Sequence, residues 1–137
     1  LAGETGSSGT GNRDFWVACL NINGSVIWEK SYQNHNYDSA YQVMEEKDGS
    51  YLVVGHGDTH GQDLLDLSLL KITDAGEQIS FNFYEARTNF YDYGKSMASS
   101  ANGTFVIAGV AKQKDSRKNT LYLQMFDPDG RKDDIGF

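Results

Sequence analysis

Asp48-Gly49-Ser50-Tyr51-Leu52-Val53-Val54-Gly55 returns 54 residues later as Asn102-Gly103-Thr104-Phe105-Val106-Ile107-Ala108-Gly109. Each stretch is a turn dipeptide followed by a short apolar run that stops on glycine. The ending also stands at the start of the chain, as Leu1-Ala2-Gly3, 52 residues before Val53-Val54-Gly55. Other landmarks keep the same step. Asp14, Asp66 and Thr120 each open an apolar run, and Gly24, Gly76 and Gly130 close those runs, again 52 and 54 residues apart. Tyr37-Asp38 and Tyr91-Asp92 match at 54. A period of this length is the first thing to read in a sequence, because it dictates the whole architecture.

Each period divides into four short segments of strand character. In the central unit they cover residues 41–46, 51–56, 67–73 and 78–84. Apolar and polar residues alternate in Phe81-Asn82-Phe83, as a half-buried strand requires. The Asp-Gly and Asn-Gly turns suit tight two-residue hairpins in which both central residues take φ > 0. Four antiparallel strands per repeated unit of this length is the signature of propeller blades. The expectation is an all-β chain, a β-propeller of four-stranded antiparallel blades with about three present. Residues 1–32 form an incomplete blade, 39–84 a complete one and 93–137 a nearly complete one. Calling the strands a to d from the centre outward, the chain enters in b and stops near the start of the third d.

The bulk composition fits a folded domain. Fifteen glycines against one proline supply many turns, and 39% apolar with 23% charged residues is not the profile of a disordered polyelectrolyte. No apolar run approaches the ~20 residues of a membrane helix. A net charge of −7 argues against a phosphate-binding surface, and the basic cluster Lys112, Lys114, Arg117 and Lys118 reads as a solvated loop. Nucleic acid is therefore not an expected partner. A single cysteine, Cys19, excludes an intrachain disulfide framework and sits on a strand as a packed small apolar residue.

Several of these segments resemble the bacterial β-propeller repeat of seven-bladed proteins: Asp14-Phe15-Trp16-Val17, Asn21-Ile22-Asn23-Gly24, Val26-Ile27-Trp28, Asp48-Gly49 and Val53-Val54-Gly55. The stretch from Gly3 to Gly9 is similar to that family's small-residue connector. The resemblance implies an extracellular or cell-surface bacterial protein, often larger than this piece, and carries over no catalytic residue. Gly24 to Trp28 is also similar to a quinoprotein blade, although Ser80 replaces the Trp in the next unit.

Residues that recur at every period are explained by blade geometry, so candidate sites are those that do not recur. Gly55 and Gly109 read as points where strands crowd. Asp38 and Asp92 read as turn ties through side-chain hydrogen bonds. Short turns lie at one end of each blade. The longer connections, residues 33–38, 85–92, 57–62 and 111–119, lie at the other, and that end is the candidate functional face. It carries the candidate ligand-binding residues Tyr37, His56, Asp58, His60, Arg87 and Tyr91.

His56, Asp58 and His60, with Asp63 and Asp66, have the donor chemistry of a transition-metal site, but the matching loops lack histidine. The expectation is a polar connector without metal. Asp127 and Asp129, followed by Asp133 and Asp134, have calcium-type donors, yet they stand where Asn21 and Asn23 form an ordinary hairpin turn. Tyr37, Phe90, Tyr91 and Tyr93 offer either a stacking surface for sugars or filling between blades. The reading that results is a non-catalytic binding or interaction scaffold without a cofactor, its partner a protein or a glycan on the long-loop face. The alternatives are a lectin-like propeller and a quinoprotein-type dehydrogenase piece. Open apolar blade faces further imply either a longer propeller chain or a ring completed by other copies.

Overall fold

Ten strands and no helix make up the described part of a computed structural model, residues 1–6, 12–33, 37–58, 65–84 and 90–132. The strands are β1 (Ala2–Thr5), β2 (Asp14–Leu20), β3 (Val26–Tyr32), β4 (Asp38–Glu45), β5 (Tyr51–Asp58), β6 (Leu65–Ile72), β7 (Gln78–Tyr84), β8 (Phe90–Ser99), β9 (Phe105–Gln113) and β10 (Asn119–Phe126). They pair in chain order as three antiparallel sheets: β1-β2-β3, β4-β5-β6-β7 and β8-β9-β10. The described residues are thus all-β, in three-, four- and three-stranded sheets.

The short hairpins differ from the two-residue turns expected. Gly49 N–H donates to the Glu46 carbonyl at 3.1 Å, and Glu46 N–H donates to the Ser50 carbonyl at 2.8 Å. Three residues therefore form the loop, with Gly49 at φ 84° in the left-handed position that this turn demands. The Asp48 carboxylate accepts the Ser50 N–H at 2.9 Å, which fixes the turn from within. Asn102-Gly103 repeats the arrangement, with Gly103 at φ 90°.

The middle sheet is apolar on both faces, and that is why Leu52, Val53 and Val54 form a continuous run instead of an alternating one. Val53, Leu70 and Ile72 pack with Phe15, Val17 and Tyr32 of the first sheet. Leu52, Val54, Leu67 and Leu69 pack with Met97, Phe105, Ile107 and Phe126 of the third. The first sheet meets the middle one mainly through β1 against β4, and the third meets it mainly through β8 against β5 and β6. A Cβ added to Gly55 would strike the Ser39 carbonyl of the same sheet and lie 2.6 Å from the Phe15 ring of the first. Within the third sheet, a Cβ on Gly109 would strike the Tyr93 carbonyl and lie 2.5 Å from Tyr122. Both glycines are therefore required by close approach.

Toward β3 and β7, long side chains span the gap. Tyr32 hydroxyl donates to the Gly76 carbonyl at 2.8 Å, and Tyr84 hydroxyl to the Gly130 carbonyl at 2.6 Å. Trp28 Nε1 donates to the Asp74 carbonyl at 3.0 Å. Between β4 and β8, the Gln42 amide donates to the Met97 carbonyl at 3.0 Å and accepts the Met97 N–H at 2.8 Å.

Asp38 and Asp92 depart from their expected place in turns. Both are fully buried within strands, at the first residue of β4 and the third of β8. Three of the four connections at that end are shorter than the sequence predicts, because β4 starts at Asp38, β8 starts at Phe90 and β9 runs through Gln113; the fourth is shifted, since β5 runs through Asp58 and β6 starts at Leu65.

Candidate binding face at the long-loop end

Two bulges build the centre of the face. Register jumps from Ala40 to Gln42 on β4 and from Gly94 to Ser96 on β8, which leaves Tyr41 and Lys95 as the extra residues. A bulge frees a side chain from the ladder's alternation and re-aims it. Here the Lys95 ammonium stands 3.5 Å from the centroid of the Tyr41 ring and 5.2 Å from that of Tyr93. A cation over an aromatic face is attractive, and the contact joins the middle and third sheets.

His56 completes the group. Its ring centroid lies 5.3 Å from Tyr41 and 4.9 Å from Tyr93, the latter edge-on. The imidazole is buried, and its Nδ1 has no hydrogen-bond partner among the described residues. Burial and then the Lys95 ammonium push His56 down to about 4, against the opposing pull of Glu4. It is neutral at pH 7. Burial also raises Tyr93, with Tyr91 and Tyr41 adding to the effect.

A polar chain runs from there to the first sheet. Ser39, opposite His56 in the ladder, donates to the Glu4 carboxylate. Glu4 also pairs with Arg13 at 2.5 Å, and the Arg13 guanidinium lies 5.8 Å from the Tyr37 ring centroid. Tyr37 is 50% exposed and Tyr41 44%. Two aromatic rings with adjacent cations are thus exposed to solvent, Tyr37 just before β4 at the long-loop end and Tyr41 at the bulge near the middle of β4.

Of the residues singled out in the sequence, Tyr37 and His56 belong to this network, and Tyr91 lies beside Tyr93 on β8. Asp58 is buried at the end of β5, where its N–H donates to the Tyr37 carbonyl at 2.9 Å. His60 and Arg87 lie outside the described residues, as do Asp63, Asp133 and Asp134. Among the described residues, no three His, Cys, Asp or Glu side chains converge in a metal-binding group. Asp127 accepts the N–H groups of Asp129 and Arg131 at 3.0 and 2.7 Å, just as the Asn21 side chain accepts those of Asn23 and Ser25, both at 2.9 Å. Its role is that of a hairpin turn.

Tyr41, Lys95, Glu4 and Arg13 were not candidates in the sequence. One signal was there: Tyr41 and Lys95 stand 54 residues apart, each just after the small residue at which the ladder slips. No family model matches this chain, and none of the curated proteins matches it.

Proposed function

We propose that the chain is a run of β-propeller blades serving as a non-catalytic binding scaffold, with its ligand at the long-loop end. The blade reading is supported by like sheets packed face to face, β1 against β4 and β8 against β5 and β6, and by two equivalent tyrosine ties, Tyr32 to Gly76 and Tyr84 to Gly130. The binding reading rests on one observation. The two bulged residues, Tyr41 and Lys95, converge with His56 and Tyr93 beside an exposed Tyr37.

A glycan is the ligand class that suits this surface. Aromatic faces pack against the C–H faces of sugars, while Lys95 and Arg13 offer hydrogen bonds to hydroxyl or carboxylate oxygens. A protein ligand is the second reading. The same architecture, together with the resemblance of the turn and strand motifs to exported bacterial propellers, favours an extracellular or cell-surface location. A glycan array probed with this chain is the test. Binding to a defined set of sugars that is lost in Tyr41→Ala and Tyr37→Ala supports the glycan reading. An array with no binder sinks it.

A further inference from the structure

The outward face of the third sheet is made of the cross-strand pairs Leu121/Val110, Leu123/Ala108 and Met125/Val106. The same positions 54 residues earlier are Leu67/His56, Leu69/Val54 and Lys71/Leu52. In the middle sheet this face is covered by the third sheet, and Leu67 and Leu69 are 1% and 3% exposed. Leu121 and Leu123 are 72% and 54% exposed. The position is the same in the two sheets, and among the described residues none covers the face of the third. Ile27 and Ile79, the bulged residues of β3 and β7, are exposed in both of their sheets.

The opposite end of the stack has the complementary surface. Leu1 and Leu20 are exposed: Leu20 alternates along β2 with Phe15 and Val17, which point into the middle sheet, and Leu1 stands opposite Ala18. Their counterparts in the middle sheet, Val53 and Ile72, cover the first sheet, and their counterparts in the third, Ile107 and Phe126, cover the middle one. Both sheet-to-sheet contacts in the chain therefore join a face of the Leu67 type to a face of the Val53 type. One face of each type is left open.

We propose that the chain associates with itself head to tail, the Leu121/Leu123 face of one copy receiving the Leu1/Leu20 face of a second. The contact is a third instance of an interface that the chain already makes twice. It is heterologous, so it closes into a ring where the rotation permits and otherwise extends. Removal of these leucines from water supplies the drive. The proposal rests on the reading of the sheets as like units, not on the ligand reading.

Analytical ultracentrifugation of the chain, with no tag on Leu1, tests it through Leu20→Glu and Leu123→Glu. Wild type is expected to sediment above the monomer mass, and each variant alone as a monomer. An equimolar mixture of the two is expected to form a dimer, because one intact face of each type remains. The rescue on mixing also shows that both variants are folded. Should Leu123→Glu fail to fold by circular dichroism, Leu121→Glu takes its place. A folded wild-type monomer overturns the proposal, as do variants that still pair with themselves or a mixture of folded variants that stays monomeric. The reading of like units is tested separately, by contacts within one chain at Gly55 and Gly94.

Discussion

The Tyr84 hydroxyl donates to the Gly130 carbonyl at 2.6 Å and so ties the last strand of the middle sheet to the final hairpin turn of the next. Tyr32, 52 residues earlier, makes the same bond to Gly76 at 2.8 Å. Burial, with Glu77 adding to it, pushes the Tyr32 phenol up to about 12, so it remains a donor through the neutral range. Tyr84→Phe and Tyr32→Phe each remove one hydroxyl and leave the ring. Each is expected to lower unfolding free energy by about 1 kcal/mol, the usual net value of such a bond. Urea titration checks this, and a neutral outcome at both sites would show that the ties are incidental.

The close approach at Gly109 leaves no space for a side chain. Gly109→Val is expected to destabilise by about 2–3 kcal/mol through overpacking. Gly3 is the matching position in the first sheet, but a Cβ there would meet only Trp16, at an ordinary 3.9 Å. Gly3→Ala is therefore expected to change little. Thermal melts of the two variants should separate clearly; equal melts would remove the crowding argument.

Stability should fall as the pH drops toward His56's folded range. The folded pKa is lowered from 6.5 to about 4, so between those values the unfolded chain binds a proton that the folded chain does not. Stability then rises with pH across this window and is lost progressively below 6.5, by up to about 3 kcal/mol. Urea midpoints measured from pH 4 to 7 should show this slope, and His56→Gln should flatten it. A slope unchanged in His56→Gln would assign the effect to other groups.

Lys95 over the Tyr41 ring joins two sheets as well as shaping the face. Lys95→Met keeps the stem and removes the charge. It is expected to cost under about 1 kcal/mol of stability, the exposed value of such a contact. It should also raise the His56 pKa, because a repelling cation is gone. NMR titration of the imidazole checks the direction, and an unmoved or lowered value contradicts the placement.

Much of the fold was legible because burial on both faces writes a strand as an unbroken apolar run, as in Leu52-Val53-Val54. The glycines were equally plain, since Gly49 and Gly103 serve left-handed turns and Gly55 and Gly109 serve close approach. The turn length was not, because an Asp-Gly pair fits both two- and three-residue hairpins. The centre of the candidate site was hidden for a different reason. A bulge breaks the period-two rule at one residue, so alternation gave Tyr41 the facing of an ordinary strand residue and left Lys95 without comment. Asp58 reads as part of a loop in the sequence because Gly57 and Asp58 are loop-type residues. In the structure they extend β5 and are buried.

The central claim is that the middle sheet is sandwiched, with one face on the first sheet and the other on the third. A methyl and aromatic NOESY spectrum tests it directly. The Gly55 Hα protons should show cross-peaks to the Phe15 ring, and the Gly94 Hα protons to methyl groups of Val54 and Leu67. Ladder cross-peaks within the middle sheet, such as Gly55 to Ser68, serve as the internal control. Ladder peaks present with both sets of cross-sheet peaks support the stack; ladder peaks present with either set missing would contradict it.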